Sequence, residues 1–118
     1  MITITMDTKR LKLTVEGHAM PAESKDYQLL CNSAAALSQG LAYTISKSDA
    51  ETKSIEYRPE PGNLLLRVWP EEKAEKEIRD KFENYADGLQ LLAESHPCSI
   101  TMIRNGQRIT AKGDGKHE

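Results

Sequence analysis

The apolar residues of this chain switch twice from a period of two to a period of three to four and back, and that pattern leaves few folds open. Ile2, Ile4 and Met6 alternate with Thr3 and Thr5. After the polar turn Asp7-Thr8-Lys9-Arg10 the alternation resumes, with Leu11, Leu13 and Val15 set between Lys12, Thr14 and Glu16. Such alternation sends one face of a strand to a core and the other to water. Residues 2–18 therefore read as a hairpin whose second strand ends at Gly17 and His18. Pro21 marks residues 19–27 as irregular backbone. From about residue 28 the spacing changes, and Leu30, Ala34, Leu37, Leu41 and Ile45 fall on one helical stripe. Ser24 or Asp26 is positioned to cap that helix through a side-chain oxygen.

The second half repeats the scheme. A polar link, Lys47-Ser48-Asp49-Ala50, leads to a strand at Ile55-Glu56-Tyr57, and Pro59-Glu60-Pro61-Gly62-Asn63 is a turn. Leu64 to Trp69 is apolar on both faces, which predicts a central strand. Pro70 is expected to open a second helix, with Glu71 and Glu72 at the positive end of its dipole. Its stripe is Ile78, Phe82, Tyr85, Leu89 and Leu92, and His96-Pro97 ends it. Ile100, Met102 and Ile109 flank Asn105-Gly106, a favoured hairpin dipeptide. The order is ββαββαββ. Two helices on one face of a mainly antiparallel sheet is the simplest way to bury both stripes, giving an α+β two-layer sandwich.

A chain of 118 residues can build one core without disulfides. Residues 1–111 read as a single domain and 112–118 as a polar, frayed tail. The net charge of −2 and the scarcity of aromatic residues argue against a nucleic-acid surface. Nothing reaches membrane-spanning length, and the alternating N-terminus is unlike a signal peptide. Cys31 and Cys98 form neither a metal spacing nor a disulfide framework, so a reducing cytoplasm and a free thiol are expected.

Chemistry concentrates at His18 and Cys31. The histidine ends a strand, and the cysteine follows thirteen residues later at or near a helix start, where thiolate is favoured. A thiolate is a nucleophile, and a nearby imidazole can act as its base and acid. Each residue also has a plainer role. Cys31 neighbours stripe residue Leu30 and would pack as a small hydrophobe, and His18 shares the polar register of Lys12, Thr14 and Glu16. Asp26 reads as a cap or loop residue, Cys98 as core, and His96 as a helix-end cation. Ser33 and Ser38 have no histidine at useful spacing.

The stretch Gly17-His18-Ala19, a short loop, then Leu30-Cys31 followed by small residues up to Leu37 resembles the ribosomal-processing cysteine proteases of Firmicutes and related bacteria. Their pattern is Gly-His-Ala, a glycine-bearing loop, then Asp-Ile-Val-Cys-Ala-Ala-x-Ser-x-Leu. Here Gln28 stands at the Asp position, Ala35 replaces the Ser, and no glycine lies between His18 and Cys31. The resemblance implies a cysteine endopeptidase with a His18–Cys31 dyad and Gly17 and Asp26 in supporting or substrate-binding roles. It further implies a homodimer without metal or cofactor. The substrate would be the N-terminal extension of a ribosomal protein, or of a phage structural protein if the copy is prophage-borne. Helix-start amides would stabilise the oxyanion. The competing reading is a non-catalytic dimeric binding or scaffold module on the same fold.

Overall fold

A computed structural model describes residues 1–47 and 52–110. Among them, the elements are β1 (Ile2–Asp7), β2 (Lys12–Gly17), α1 (Tyr27–Ser46), β3 (Thr52–Glu60), β4 (Asn63–Pro70), α2 (Glu75–Ser95), β5 (Ile100–Arg104) and β6 (Gln107–Arg108). The expected order holds, and the architecture is the α+β arrangement predicted from the periodicity. The strands form one sheet in the order β3-β4-β2-β1-β5-β6. Every neighbouring pair is antiparallel except β1 with β5, which run parallel. Residues 48–50 of the expected link, and the tail 112–118, lie outside the described residues.

Register carries the hydrophobic pattern across the sheet. Met6 faces Leu13, and Leu13 faces Leu66; Ile4 lies between Val15 and Met102. All six are buried and point to the face that receives the helices. The opposite register, with Thr5, Thr14, Leu65 and Arg67, is left only partly covered or exposed. β4 lies inside the sheet, as its apolar character predicted, with β2 on one side and β3 on the other.

Burial on the helices differs from the predicted stripes in an informative way. α1 buries Leu30, Ala34, Ser38, Leu41 and Ile45, and α2 buries Ile78, Phe82, Ala86, Leu89 and Ala93. Leu37, Tyr85 and Leu92 are only partly buried. Two of them fill the seam between the helices, each over a glycine of its neighbour. Leu37 lies against Gly88, and the Tyr85 ring lies against Gly40. Small residues (Ala34, Ser38, Ala86 and Ala93) thus alternate with large apolar ones among the buried positions of the two helices. Ser38 is buried because its hydroxyl donates to the Ala34 carbonyl at 2.8 Å.

Three local expectations are corrected. Pro70 closes β4 instead of opening a helix, and a short 3-10 turn, Glu72–Ala74, precedes α2. Glu75 and Glu77, not Glu71 and Glu72, therefore occupy the first turn of α2. β3 runs through Pro59, which an edge strand tolerates because one side of its backbone is unpaired. α1 has no side-chain cap: Ser24 Oγ accepts the Asp26 N–H at 3.0 Å, and Asp26 offers its backbone carbonyl to the Leu30 N–H at 3.0 Å. The hairpin turn at Asn105-Gly106 is as predicted, with positive φ at both residues.

Candidate active site

Gly17 ends β2 with φ of 86°, and a side chain there would collide with the Met1 carbonyl. Only glycine enters this region without strain, so the chain turns and His18 leaves the sheet. Pairing of β2 with β4 sets Glu16 opposite Asn63, and the Gly17 N–H donates to the Gly62 carbonyl at 2.9 Å. The β3–β4 turn is thereby brought beside His18. Gly62 also has positive φ, at 74°, and the His18 imidazole occupies the space a side chain on residue 62 would take.

Ala19 is buried, and its N–H donates to Cys31 Sγ at 3.3 Å; the thiol faces the Ala19 carbonyl at 3.9 Å. The residue after His18 is thus held directly against the cysteine. Cys31 is half-buried in the second turn of α1. The amides left free at a helix start belong to its first residues. Cys31 lies beyond them, although its side chain leans back over that turn.

The loop between the two residues lacks glycine but is clipped at its base. The Met1 ammonium donates to the His18 carbonyl at 2.6 Å and to the Glu23 carboxylate at 2.8 Å. The Met20 N–H donates to the same carboxylate at 2.9 Å. These contacts, the ammonium hydrogen bond first, hold the Glu23 carboxyl below the usual carboxylate range.

Two concavities meet at the cysteine. One, of about 250 Å³, lies over the end of the sheet, with Ile2, Val15, Ala34 and Leu64 among its walls and Gln39 and Pro59 to Gly62 on its rim. The other, shallower and about 550 Å³, lies toward the loop and is bordered by Ala19, Met20, Pro21, Tyr27 and Gln28. His18, Cys31 and Asn32 border both. Gly17 borders the first, whereas Asp26 borders neither and stays exposed at the helix start. Among the described residues no cluster of three or more His, Cys, Asp or Glu is placed to hold a metal, and no helix is long and apolar enough to cross a membrane.

Of the expected site residues, His18, Cys31 and Gly17 meet at one concavity and Asp26 does not; Gly62 and Asn32 beside them, and Glu23 in the loop, were not among those expected. The turn containing Gly62 was visible as a turn. Its position beside His18 depends on β2 pairing with β4, which no local pattern encodes. Asn32 is polar where the pattern of the resembled family has Ala.

Fold and site together define a two-layer α+β sandwich with a histidine and a thiol at a cleft over one end of the sheet. No protein-family model matches the chain, and no curated protein matches it in sequence. Its fold is that of the essential ribosomal processing protease Prp from S. aureus. The crystal structure of that protease with a substrate peptide superposes with a TM-score of 0.67 at 17% identity, covering 88% of this chain and 99% of that one. The complex with a covalently linked product peptide gives 0.65 at 18%, with the same coverage. A Streptococcus mutans protein of known structure gives 0.63 at 19% identity, covering 87% of this chain and 90% of that one. The likeness expected from Gly17-His18-Ala19 and Leu30-Cys31 thus extends over most of the fold.

Proposed function

We propose that this chain is a cysteine endopeptidase that removes a short N-terminal extension from a ribosomal or phage structural protein, with His18 and Cys31 as its dyad. The observation that carries this reading is that both residues border the same two concavities, on the fold of a processing protease. An extended peptide laid from one concavity to the other passes over Cys31 Sγ. The sulfur, as thiolate, attacks the scissile carbonyl, forming a C–S bond and moving the π electrons to oxygen. Collapse of that intermediate breaks the C–N bond, and His18 delivers its proton to the leaving amine. Water, deprotonated by His18, then hydrolyses the thioester and frees the thiolate. Residues of this chain supply every proton transfer, so the reading uses no cofactor. It also takes the active species to be a homodimer, which sedimentation measures directly.

The test is cleavage of peptides copied from ribosomal-protein and phage capsid N-termini, with products identified by mass. Wild type should cut at one bond, and Cys31→Ala and His18→Ala should lose the activity. Cleavage that survives Cys31→Ala rejects the nucleophile. The departures at Gln28 and Ala35 and the clipped loop favour the second reading, a peptide-binding module without catalysis. Peptide binding without cleavage by wild type would establish it.

A further inference from the structure

We propose that the side-chain amide of Asn32 donates a hydrogen bond to the oxygen of the scissile carbonyl and stabilises the oxyanion that forms there. The proposal rests on the cysteine-peptidase reading above.

Three residues border both concavities: the nucleophile Cys31, the base His18, and Asn32. A peptide that spans the two must cross all three. Apart from the imidazole, Asn32 carries the one N–H-bearing side chain at this shared position, because Gln39 borders only the sheet-side cavity and Gln28 only the loop side. Asn32 is exposed, and among the described residues its carboxamide has no hydrogen-bond partner. Nothing in the fold needs that amide, so it is available to a ligand. By contrast, the Ala19 N–H is already directed at sulfur.

The chemistry calls for such a donor. As the C–S bond forms, the carbonyl π electrons become a lone pair on oxygen, next to the sulfur. An N–H aimed at that oxygen is stronger in the transition state than in the ground state and so speeds the step. When the intermediate collapses, the C=O double bond re-forms, the C–N bond breaks and the proton from His18 goes to the amine. Asn32 exchanges no proton. It touches the substrate oxygen, which makes it catalytic.

The experiment measures peptide cleavage by wild type, Asn32→Ala, Asn32→Asp and Cys31→Ala, alongside alkylation of Cys31 by iodoacetamide. Removing one oxyanion donor lowers kcat by about 10²–10³-fold. Asn32→Ala should show that loss with KM nearly unchanged. Asn32→Asp should lose at least as much, having no N–H to donate. Alkylation should keep its wild-type rate in Asn32→Ala, the variant that adds no charge beside the thiol, since displacement of iodide creates no oxyanion. Cleavage that depends on Cys31 but keeps its kcat in Asn32→Ala overturns the assignment and leaves the peptidase reading standing. A parallel loss of alkylation in Asn32→Ala also overturns it, because Asn32 would then act on the thiol or on folding. Failure of wild type to cleave any peptide overturns both.

Discussion

The His18 imidazole and Gly62 share one volume: the ring lies where a side chain on residue 62 would have to be, although 43 residues separate them along the chain. β2–β4 pairing brings the two together, and the Gly17 N–H to the Gly62 carbonyl at 2.9 Å holds them there. A methyl group at position 62 would push the ring out of its place. It would also force an L-residue into positive φ, which costs roughly 1–2 kcal/mol. Gly62→Ala should therefore lower kcat/KM for peptide cleavage by about ten- to a hundredfold, as expected when a catalytic group is misplaced by around an ångström. Tm should fall by only a few degrees. Steady-state kinetics and calorimetry on the same preparation separate the two effects, and unchanged kinetics would show that the ring needs no such seat.

The loop clip predicts a pH dependence. Glu23 has a folded-state pKa below its ordinary value of 4.5, chiefly through the hydrogen bond from the Met1 ammonium and then that from Met20. A carboxyl with a depressed folded pKa contributes stability that is fully present above the unfolded value. That contribution is lost as pH falls through the folded value. Glu23→Gln should melt below wild type at about pH 6, well above the ordinary carboxylate range. The gap should close in strong acid. A gap that persists at about pH 2 would mean that packing, not the ion pair, sets the difference.

Phe82 is the largest side chain buried without exposure, and it lies on the sheet-facing side of α2. Phe82→Ala removes that ring from a close-packed interior and should cost about 3–5 kcal/mol. Urea unfolding measures the loss directly. A cost below about 1 kcal/mol would imply that α2 settles onto the sheet and fills the gap.

Cys98 is exposed and far from the cleft in sequence, whereas Cys31 is half-buried at it. Cys98→Ser should keep full cleavage activity. Iodoacetamide on that variant should add one carbamidomethyl group, on Cys31, and abolish cleavage in step with the labelling. Mass spectrometry follows both, and activity in fully labelled protein would remove Cys31 from the mechanism.

How far the chain could be read before its structure depended on whether a feature was local. Alternation in Ile2 to Val15, the Asn105-Gly106 turn and the periodicity of both helices are local, and each led to the right element. Stripe assignments failed where two partners compete for one helix. Leu37 and Tyr85 are apolar and correctly spaced, but they serve the helix–helix seam, while Ser38 and Ala86 take the sheet-facing places. Pro70 is ambiguous by itself because proline suits a helix start and a strand end, and here it ends β4. The same division applies at the cleft. Gly17, His18 and Cys31 are close enough in sequence to be read together, while Gly62 arrives through long-range pairing and Glu23 is engaged by an amine no side-chain pattern contains.

β1 lies between β2, its neighbour in sequence, and β5, which follows only after both helices. Met1, at the head of β1, grips the His18 carbonyl and Glu23, and the Ile2 N–H donates to the Ser99 carbonyl at 2.7 Å. During synthesis β1 can pair early on one side only. Its other edge waits until residues near 100 leave the ribosome, and contacts of such separation form late. The clasp on the loop therefore becomes secure only once β5 is available, so a nascent chain would carry the thiol and the imidazole long before the strand that anchors the clasp.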